Sequence, residues 1–447
     1  MALTDKLTAI ADAIRAKDGT TGKMTLAQMP DKIAAIQTGG GSSSVSPNDV
    51  NFYDYDGTIV ASYSLSEAQS LTALPDGPTH SGLTFQGWNY TLDKIKAFTR
   101  PMNVGATYIT DDGKTRLYIR IAAEGRMTVP LYISQTVANG VTIDWGDGSA
   151  TQTLAGTGNV NTTHTYANIG DYVITLDLVD GCVLGFGDGS NSYCVLGSTE
   201  TDGSVYRNML QAVQIGTGVT SIGNNAFNAC YSFASIIIPD GVTSIGNRAF
   251  SECSLISITI PDSVISIGKS AFNACYSLTS ITIPDGVTSI GNSTFGGCSL
   301  TSITIPDSVT SIGDNAFNAC SLTSITIPDG VTSIGNYTFS ECYSLASITI
   351  PDSATSIGDG VFNACYSLAS ITIPDGVTSI DASAFGGCYG MAEYHLKPTT
   401  PPTLSNTNAF ADIPSDCIIY VPQGCLNAYQ NATNWATYAS KMQEEPA

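Results

Sequence analysis

Residues 278–298 read LTSITIPDGVTSIGNSTFGGC, and this pattern recurs along the second half of the chain. Its opening apolar position returns every 22 or 23 residues, at Leu210, Phe233, Leu255, Leu278, Leu300, Leu322, Leu345, Leu368 and, in a degenerate copy, Met391. One copy is too short to bury its own apolar side chains, so copies at a fixed period must stack on one another. The sequence therefore predicts a solenoid over residues 210–392, in which each copy forms one rung.

Each rung is predicted to contain two short extended segments. In the quoted rung Ser280 and Thr282 alternate with apolar residues, which is typical of a strand with one face in the core. Pro284 and the Asp-Gly pair after it end that strand, because Pro donates no backbone hydrogen bond and Asp-Gly favours a turn. The side chains expected to point inward are Leu278, Ile281, Ile283, Val287, Ile290, Phe295 and Cys298.

The joint recurrence of the strand, the Pro turn, the Ile-Gly pair and the spaced Phe and Cys resembles the BspA-like leucine-rich repeats of bacterial surface and host-associated proteins. This resemblance implies a mostly β protein with a curved, right-handed solenoid whose parallel strands line the concave side. It also implies adhesion or recognition, although a fold does not dictate a function. Residues 393–447, with a helical tail at about 426–442, resemble the C-terminal cap that closes such arrays.

Residues 1–37 are expected to form a helical attachment or oligomerisation module. Apolar residues recur there at helical spacing, and a second short helix is predicted from Thr25 to Ile36. Charged residues interrupt the apolar ones, so the segment is not expected to be a secretory signal peptide. Residues 38–48 are rich in Gly and Ser and are predicted to be a flexible linker.

The motifs ADAIRAK (11–17) and KMTLAQMP (23–30) make this first segment similar to the N-terminal modules of tail and fibre proteins of bacteriophages and prophages of gut Firmicutes. The resemblance implies attachment to a virion, with assembly in the bacterial cytoplasm. An ordinary helical cap is the alternative interpretation.

Residues 49–112 are predicted to form a small β module. VNFYDYDGTIVASYSL (50–65) alternates apolar and polar residues around Asp56-Gly57, which indicates a hairpin. Together with LPDGPTHSGLTFQGWN (74–89), it resembles the β-grasp-type repeat of internalin-like surface proteins. In that family the residues matching Phe85 and Trp88 belong to the core.

A β-sandwich is expected over residues 113–182, followed by a connector and N-cap at 183–209. WGDGS (145–149), HTY (164–166) and GDYVITL (170–176) occur in the order found in PKD-type immunoglobulin-like domains, which this segment resembles and which usually act as spacers. Asn139-Gly140 is predicted to be a hairpin turn. Asp144 and Asp147 could hold calcium, but turn formation beside Gly is the favoured interpretation.

The composition argues against two classes of partner. The 17 basic residues against 38 acidic ones give a net charge of -21, which disfavours nucleic acid and anionic membrane surfaces. No stretch is apolar enough for a transmembrane helix, so membrane insertion is not expected.

Eight of the 12 cysteines occur once per rung at one equivalent position: Cys230, Cys253, Cys275, Cys298, Cys320, Cys342, Cys365 and Cys388. Each is predicted to be a small buried apolar residue with a weak donor; pairing between neighbours and metal binding are the alternatives. Cys182, Cys194, Cys417 and Cys425 lie outside this row. Whether Cys417 pairs with Cys425 is left open by the sequence.

The chain is not expected to be an enzyme or to require a cofactor. Its three histidines, His80, His164 and His395, lie in three different modules, and none has a nucleophile or paired carboxylate at a familiar spacing. GFGDGS (185–190) lacks the Lys and the following helix of a phosphate loop.

Three features of the solenoid are candidates for binding. The first is a pair of hydroxyl columns on the outward face of the first segment, at Ser257, Thr259, Ser280, Thr282, Ser302, Thr304, Ser324, Thr326, Ser347, Thr349, Ser370 and Thr372. Such regularity could recognise a repetitive polymer such as a glycan. The alternative is that Ser and Thr are soluble residues compatible with a strand and duplicated with the repeat.

The second feature is a column of Asp240, Asp262, Asp285, Asp307, Asp329, Asp352 and Asp375, which could recruit divalent cations, although turn formation after Pro explains each residue. The third comprises possible aromatic contacts to sugar rings at Tyr231, Tyr276, Tyr343, Tyr366 and Tyr389. They are absent from three rungs, which breaks the row, so the favoured interpretation is that they do not form a binding surface.

Together, these features predict a non-enzymatic receptor-binding or tail-fibre protein of a phage or prophage. Residues 1–37 would contact other virion proteins and could support a homo-oligomer such as a trimer. The solenoid would contact a host-surface glycan or protein. A bacterial cell-surface adhesin and a passive structural stalk are the alternatives.

Overall fold

The computed structural model describes residues 50–53, 59–79, 83–88, 92–96, 103–110, 112–187, 193–198 and 204–446. The helices and linker predicted over residues 1–48, the Asp56-Gly57 turn and His80 lie outside the described residues. The chain divides into two compact units, each described separately here. Of the described residues, the smaller unit contains 50–52, 61–74, 92–96 and Asn103.

The smaller unit contains most of strands β1 (Val50–Tyr53) and β2 (Ile59–Tyr63) and the helices α1 (Leu65–Ser70) and α2 (Leu92–Lys96). Helix α1 begins with a capping box, in which the Ser64 hydroxyl accepts from the Glu67 N–H at 3.3 Å and the Glu67 carboxylate accepts from the Ser64 N–H at 2.9 Å. The rings of Phe52 and Tyr63 meet edge to face at 5.7 Å.

The first strand that lies wholly in the larger unit is β3 (Leu83–Trp88), which pairs antiparallel with β4 (Asn103–Thr110). Trp88 is buried, as predicted, and its indole N–H donates to the Pro75 carbonyl at 2.9 Å. Phe85 is only half-buried and lies 5.4 Å from the Trp88 ring.

Two sheets with a common core follow. Their strands are β5 (Thr115–Ile121), β6 (Thr128–Gln135), β7 (Val141–Asp144), β8 (Gln152–Thr153), β9 (Gly158–Thr165), β10 (Gly170–Leu178) and β11 (Leu184–Phe186), with a short 3-10 helix at Glu124–Arg126. One sheet contains β5, β10, β7 and β8, and the other contains β11, β6 and β9. Alternate residues of β5 and β6 are buried between them, as period-two strands require.

The prediction of a hairpin at Asn139-Gly140 is wrong. Asn139 does have the positive φ of a turn, at 56°, but β6 and β7 on either side belong to different sheets. The turn therefore takes the chain from one sheet of the sandwich to the other. Both strands bury their apolar side chains in the core between the two sheets.

The solenoid grows directly out of this sandwich. After β12 (Tyr193–Cys194), β13 (Gly197–Ser198) and α3 (Ser204–Arg207), strand β14 (Leu210–Gln214) pairs antiparallel with β5 and parallel with β16 (Ser235–Ile237) of the next rung. Sandwich and solenoid thus have one sheet in common, and their buried residues form one continuous cluster.

The rungs form two parallel ladders. Their remaining strands are β15 (Ser221–Ile222), β17 (Ser244–Ile245), β18 (Ser266–Ile267), β19 (Ser289–Ile290), β20 (Ser311–Ile312), β21 (Ser324–Thr326), β22 (Ser333–Ile334), β23 (Ser347–Thr349), β24 (Ser356–Ile357), β25 (Ser370–Ile373), β26 (Ser379–Ile380), β27 (Glu393–Leu396), β28 (Thr403–Leu404), β29 (Ile418–Val421) and β30 (Met442–Glu444).

The second extended segment of the rung, not the first, makes the more regular ladder. It joins β15, β17 and β18, and then β19, β20, β22, β24, β26 and β28. The first segments of the rungs that begin at Leu255, Leu278 and Leu300 contain no strand. Between them, only Thr282 and Thr304 form an isolated bridge. Hydrogen bonds between these rungs are long, as in Thr301 N to Thr279 O at 3.4 Å, so neighbouring segments lie too far apart for a full ladder.

A column of stacked phenylalanines runs through the interior. Phe295, Phe317 and Phe339 are fully buried with ring centroids 5.6 Å apart and nearly parallel planes. The column continues from Phe186 of the sandwich to Phe410 of the cap, through Phe227, Phe250, Phe272, Phe295, Phe317, Phe339, Phe362 and Phe385. The predicted role of Phe295 in filling its layer is confirmed.

The cysteine row is buried and forms no disulfides, and the thiols from Cys253 to Cys388 donate to backbone carbonyls. Cys320 Sγ donates to the Phe295 carbonyl of the preceding rung at 3.1 Å, and the cysteines from Cys253 to Cys388 repeat this contact. Burial raises the pKa of the Cys320 thiol well above its usual value, so the thiol keeps its proton. The row therefore links successive rungs by S–H···O contacts, and Cys417 and Cys425 are also free.

Replacing Cys320 by alanine is expected to lower the free energy of unfolding by about 1–3 kcal/mol, because the Phe295 carbonyl loses one of its two donors and a small cavity remains. Urea unfolding followed by circular dichroism measures the change. Cys425→Ala is the matched control, since that thiol is half-exposed and lies 3.8 Å from its nearest acceptor. Equal midpoints for the two variants would contradict a structural role for the Cys320 thiol.

The C-terminal cap covers the last rung. Helix α4 (Leu426–Asn431) and a 3-10 helix (Trp435–Lys441) pack Tyr429, Trp435 and Tyr438 against Phe410 and its neighbours. The predicted helical tail is therefore confirmed up to Lys441. Met442 instead opens β30, which pairs parallel with β29 and extends the first ladder by one strand.

Candidate functional site

The first-ladder face presents the predicted hydroxyl columns to solvent. From Thr304 to Thr372 the side chains at these positions are exposed, and from Ser257 to Ser302 they are half-buried. Register is exact where the ladder forms, with Ser324 beside Ser347 and Thr326 beside Thr349. The structure thus brings the columns together most clearly in the C-terminal rungs.

These outward hydroxyls differ from most others in the solenoid. Ser353 donates to the Val331 carbonyl at 2.7 Å and Ser367 donates to the Tyr343 carbonyl at 2.7 Å, so their hydroxyls link rungs. Within the part of the chain that the structure describes, the outward hydroxyls of the last two full rungs, Ser347, Thr349, Ser370 and Thr372, have no protein partner. They are therefore available for an external hydrogen bond.

The aspartate column is exposed along its whole length. Among the described residues, no group of three or more His, Cys, Asp or Glu side chains is arranged to hold a metal ion. Each Asp follows the Pro at which the first segment turns, and the backbone turn closes behind it, as in Val331 N to Pro328 O at 3.0 Å.

Three of the predicted tyrosines form a continuous exposed row. Tyr366 lies 4.9 Å from Tyr343 and 5.3 Å from Tyr389, with planes 28° and 30° apart. Because each ring turns its faces toward its neighbours, an external ligand meets the ring edges of Tyr366 and not its faces. Tyr231 and Tyr276 are separate from this row, and Tyr276 is the most exposed at 71%.

The hydroxyl face is followed by chemically varied side chains, of which the sequence singles out only His395, and not as part of this face. In register, Thr372 is followed by His395 and then Tyr420, whose rings stack at 5.1 Å. His395 Nδ1 lies 3.0 Å from Glu445, and Lys397 Nζ lies 3.1 Å from the same carboxylate. Burial raises the pKa of Glu445, but the hydrogen bonds from His395 and Lys397 outweigh this and hold it below its usual value.

His164 has a structural place in the sandwich. Its ring stacks on Trp145 at 4.8 Å, and its Nε2 lies 2.8 Å from Asp147 Oδ2. Asp147 Oδ1 also accepts from the Ser149 N–H at 3.0 Å, and Asp144 accepts from the Gly146 N–H at 2.9 Å. Both aspartates therefore form the turns that the Asp-Gly pattern predicts.

The sandwich is expected to lose stability in acid through Asp147. Hydrogen bonds from Ser149 and His164 lower the pKa of Asp147 from 3.8 to about 2. A depressed pKa in the folded state stabilises the protein above the unfolded value, so this contribution disappears as the pH falls from 3.8 toward about 2. Urea midpoints measured across that range should fall less steeply for Asp147→Asn than for the unmodified chain.

The control for this measurement is Asp180→Asn, because Asp180 is exposed and lies outside the turn. An Asp147→Asn profile that overlays the unmodified one would contradict the role assigned to the Asp147 carboxylate.

No helix in the described part of the chain combines the length and apolar character needed to cross a membrane.

Comparison with known proteins gives one family. The model of the BspA type leucine rich repeat region matches residues 202–321 and 310–432, which together make up just over half of the chain. No curated protein sequence matches the chain.

Solved structures with partial similarity include leucine-rich-repeat proteins. A leucine rich cell surface protein of Faecalibacterium prausnitzii A2-165 is 26% identical, with 55% of this chain and 66% of that chain covered and a TM-score of 0.37. A leucine-rich repeat protein of Eubacterium ventriosum ATCC 27560 is 25% identical, with 56% and 76% covered and a TM-score of 0.37. The pneumococcal vaccine antigen PcpA is 19% identical, with 53% and 66% covered and the same TM-score. The chain thus spans less than two thirds of the Faecalibacterium protein.

Proposed function

The chain belongs to the family of BspA-type leucine-rich-repeat proteins, and from that premise we propose that it is a binding protein without enzymatic activity. Its solenoid contacts a repetitive glycan or a protein on a host surface through the first-ladder face. The observation that carries this proposal is the set of in-register, solvent-facing hydroxyls on successive rungs.

The rungs are nearly identical, which favours a repetitive ligand over a single shaped protein epitope. Each rung offers two small hydroxyl side chains, and one such pair supplies little binding free energy by itself. Several weak contacts on one rigid array act together, because the first contact raises the effective concentration of the ligand for the others.

We further propose that the chain is displayed on a virion as a tail-fibre or receptor-binding protein. The resemblance of residues 3–36 to phage tail modules supports this location, with residues 1–37 contacting other virion proteins or forming a trimer. The sandwich at 113–182 acts as a PKD-type spacer, which the WGDGS, HTY and GDYVITL motifs support. The alternative location is the bacterial cell surface.

Binding of the fluorescently labelled full chain to a glycan array and to panels of bacterial and epithelial cells tests the function. Saturable binding to at least one surface, above a serum albumin control, is expected. Binding to none of them would overturn the proposal in favour of a structural stalk. Antibody labelling of the chain on phage tails or on the bacterial envelope decides between the two locations.

A further inference from the structure

The first-ladder face is not uniform, because a pocket of about 650 Å³ lies where its hydroxyl columns end, at Ser370 and Thr372. It is lined by the first extended segments and the following turns of two rungs, within residues 346–352 and 369–376, and by Lys397 of the cap rung. Its volume lies within the roughly 300–1,000 Å³ typical of small-ligand sites.

The pocket arises from a change in the repeat pattern. Ile373 pairs with Leu396, so Lys397 stands where the preceding rung has Pro374, and the Lys397 N–H donates to the Ile373 carbonyl at 2.9 Å. The sequence KPTTPPT (397–403) then replaces the short Pro-Asp-Gly turn of earlier rungs. A long, charged side chain therefore stands beside the last Ser and Thr residues of the hydroxyl columns.

The polar groups of the pocket suit a ligand with many hydroxyls. Ser347, Thr349, Ser370 and Thr372 can each donate and accept, and none is used by the protein in the described part of the chain. Asp352 and Asp375 add exposed carboxylates, which only accept, and they have no hydrogen-bond or ion-pair partner among the described residues. Lys397 supplies donors from the other end of the pocket.

The charges select against acidic ligands. Two carboxylates face the pocket, whereas the single ammonium group of Lys397 is already held by Glu445 at 3.1 Å. The chain as a whole has a net charge of -21, which also repels anions.

We propose that this pocket, formed by Ser347, Thr349, Ser370, Thr372, the Asp352–Asp375 pair and Lys397, binds a neutral saccharide. The proposal rests on the proposed function. The nearly identical rungs do not distinguish one sugar from another, and the pocket supplies that specificity. The hydroxyl columns hold further sugar units of the same polymer, and the pocket selects which sugar is held.

Isothermal titration calorimetry of the full chain tests the assignment. The probes are neutral tetrasaccharides of glucose, mannose, galactose and N-acetylglucosamine, and the acidic tetrasaccharide of galacturonate. At least one neutral probe is expected to bind more tightly than the acidic one. Asp375→Asn and Thr372→Val should each weaken that binding roughly tenfold or more, since a buried hydrogen bond to the sugar is lost.

The matched controls are Asp180→Asn and Thr332→Val, which make the same changes at exposed positions outside both the pocket and the hydroxyl columns. They should leave the affinity unchanged. Equal weakening by pocket and control variants would overturn the pocket while leaving the proposed function intact. Tighter binding of galacturonate, or binding of no neutral probe by a chain that adheres to cells, would also overturn it. A chain that adheres to no surface would instead contradict the proposed function.

Discussion

Replacing Phe317 by alanine is expected to lower the free energy of unfolding by about 3–5 kcal/mol. The side chain is fully buried and stacks between Phe295 and Phe339, both at 5.6 Å. Its loss leaves a cavity in the middle of the column, and two neighbouring rings lose their contact at once. In a repeat protein each rung is stabilised mainly by the adjacent rungs, so one defect weakens the coupling between both halves of the solenoid.

Urea unfolding monitored by circular dichroism measures this effect. Tyr276→Ala is the control, because it also removes an aromatic ring from a rung but one that is 71% exposed, and its effect should stay within about 0.5 kcal/mol. Comparable losses from the two variants would show that the internal column does not hold the rungs together.

Replacing Trp435 by alanine is expected to cost a similar amount, about 3–5 kcal/mol, but at one end of the array. Trp435 is fully buried, packs 5.4 Å from Phe410 and 5.2 Å from Tyr429, and donates its indole N–H to the Pro402 carbonyl at 2.7 Å. The variant therefore loses apolar burial and leaves a buried carbonyl without its donor. Opening of the cap then exposes the apolar end of the last rung, which favours aggregation.

Hydrogen exchange measured by mass spectrometry separates this local effect from global unfolding. In Trp435→Ala, amides of residues 393–446 should exchange faster, while those of rungs 210–300 keep their protection. Uniform loss of protection along the chain would contradict an independent capping role, and unchanged protection at 393–446 would contradict the contribution of Trp435.

Much of the solenoid could be predicted because its period is visible in the sequence. The inward positions follow from apolar spacing alone, and the burial of Leu278, Phe295 and Cys298 confirms them. The spacing does not predict which of the two ladders has the more regular strand pairing. Ser289-Ile290 and its equivalents pair more regularly than the longer Ile-Thr-Ile segments, because that depends on distances between rungs.

Several polar positions of the repeat acquire a reason only in three dimensions. The side-chain oxygens of Asn224, Asn247 and Asp314 each accept a hydrogen bond from a backbone N–H of the next rung at 2.8 Å. In the sequence, Asn and Asp at these positions indicate only a turn. Ala319 and the residues that precede the Cys in the other rungs have a positive φ, which is 54° at Ala319. Their residue types do not predict this conformation. Gly297 occupies the same place in another rung, and glycine adopts this conformation without steric cost.

The candidate site was only partly visible in the sequence. Regular Ser and Thr positions predicted the exposed columns, since alternation within a strand fixes their side. The pocket depends on Lys397, which lies beyond the regular repeat, and on the fold of the cap that brings Glu445 beside it. The tyrosine row is broken, as its absence from three rungs predicts, but its last three members lie on consecutive rungs and contact one another.

Binding by the first-ladder face is the central claim, and one pair of variants tests it most directly. Thr349→Arg places a long side chain on the first ladder, and Ser333→Arg places the same side chain at an exposed position on the second ladder. On the surface that the unmodified full chain binds best, Thr349→Arg should lose roughly tenfold or more in affinity, whereas Ser333→Arg should bind like the unmodified chain. Unchanged binding by Thr349→Arg, or an equal loss for both variants, would contradict the claim.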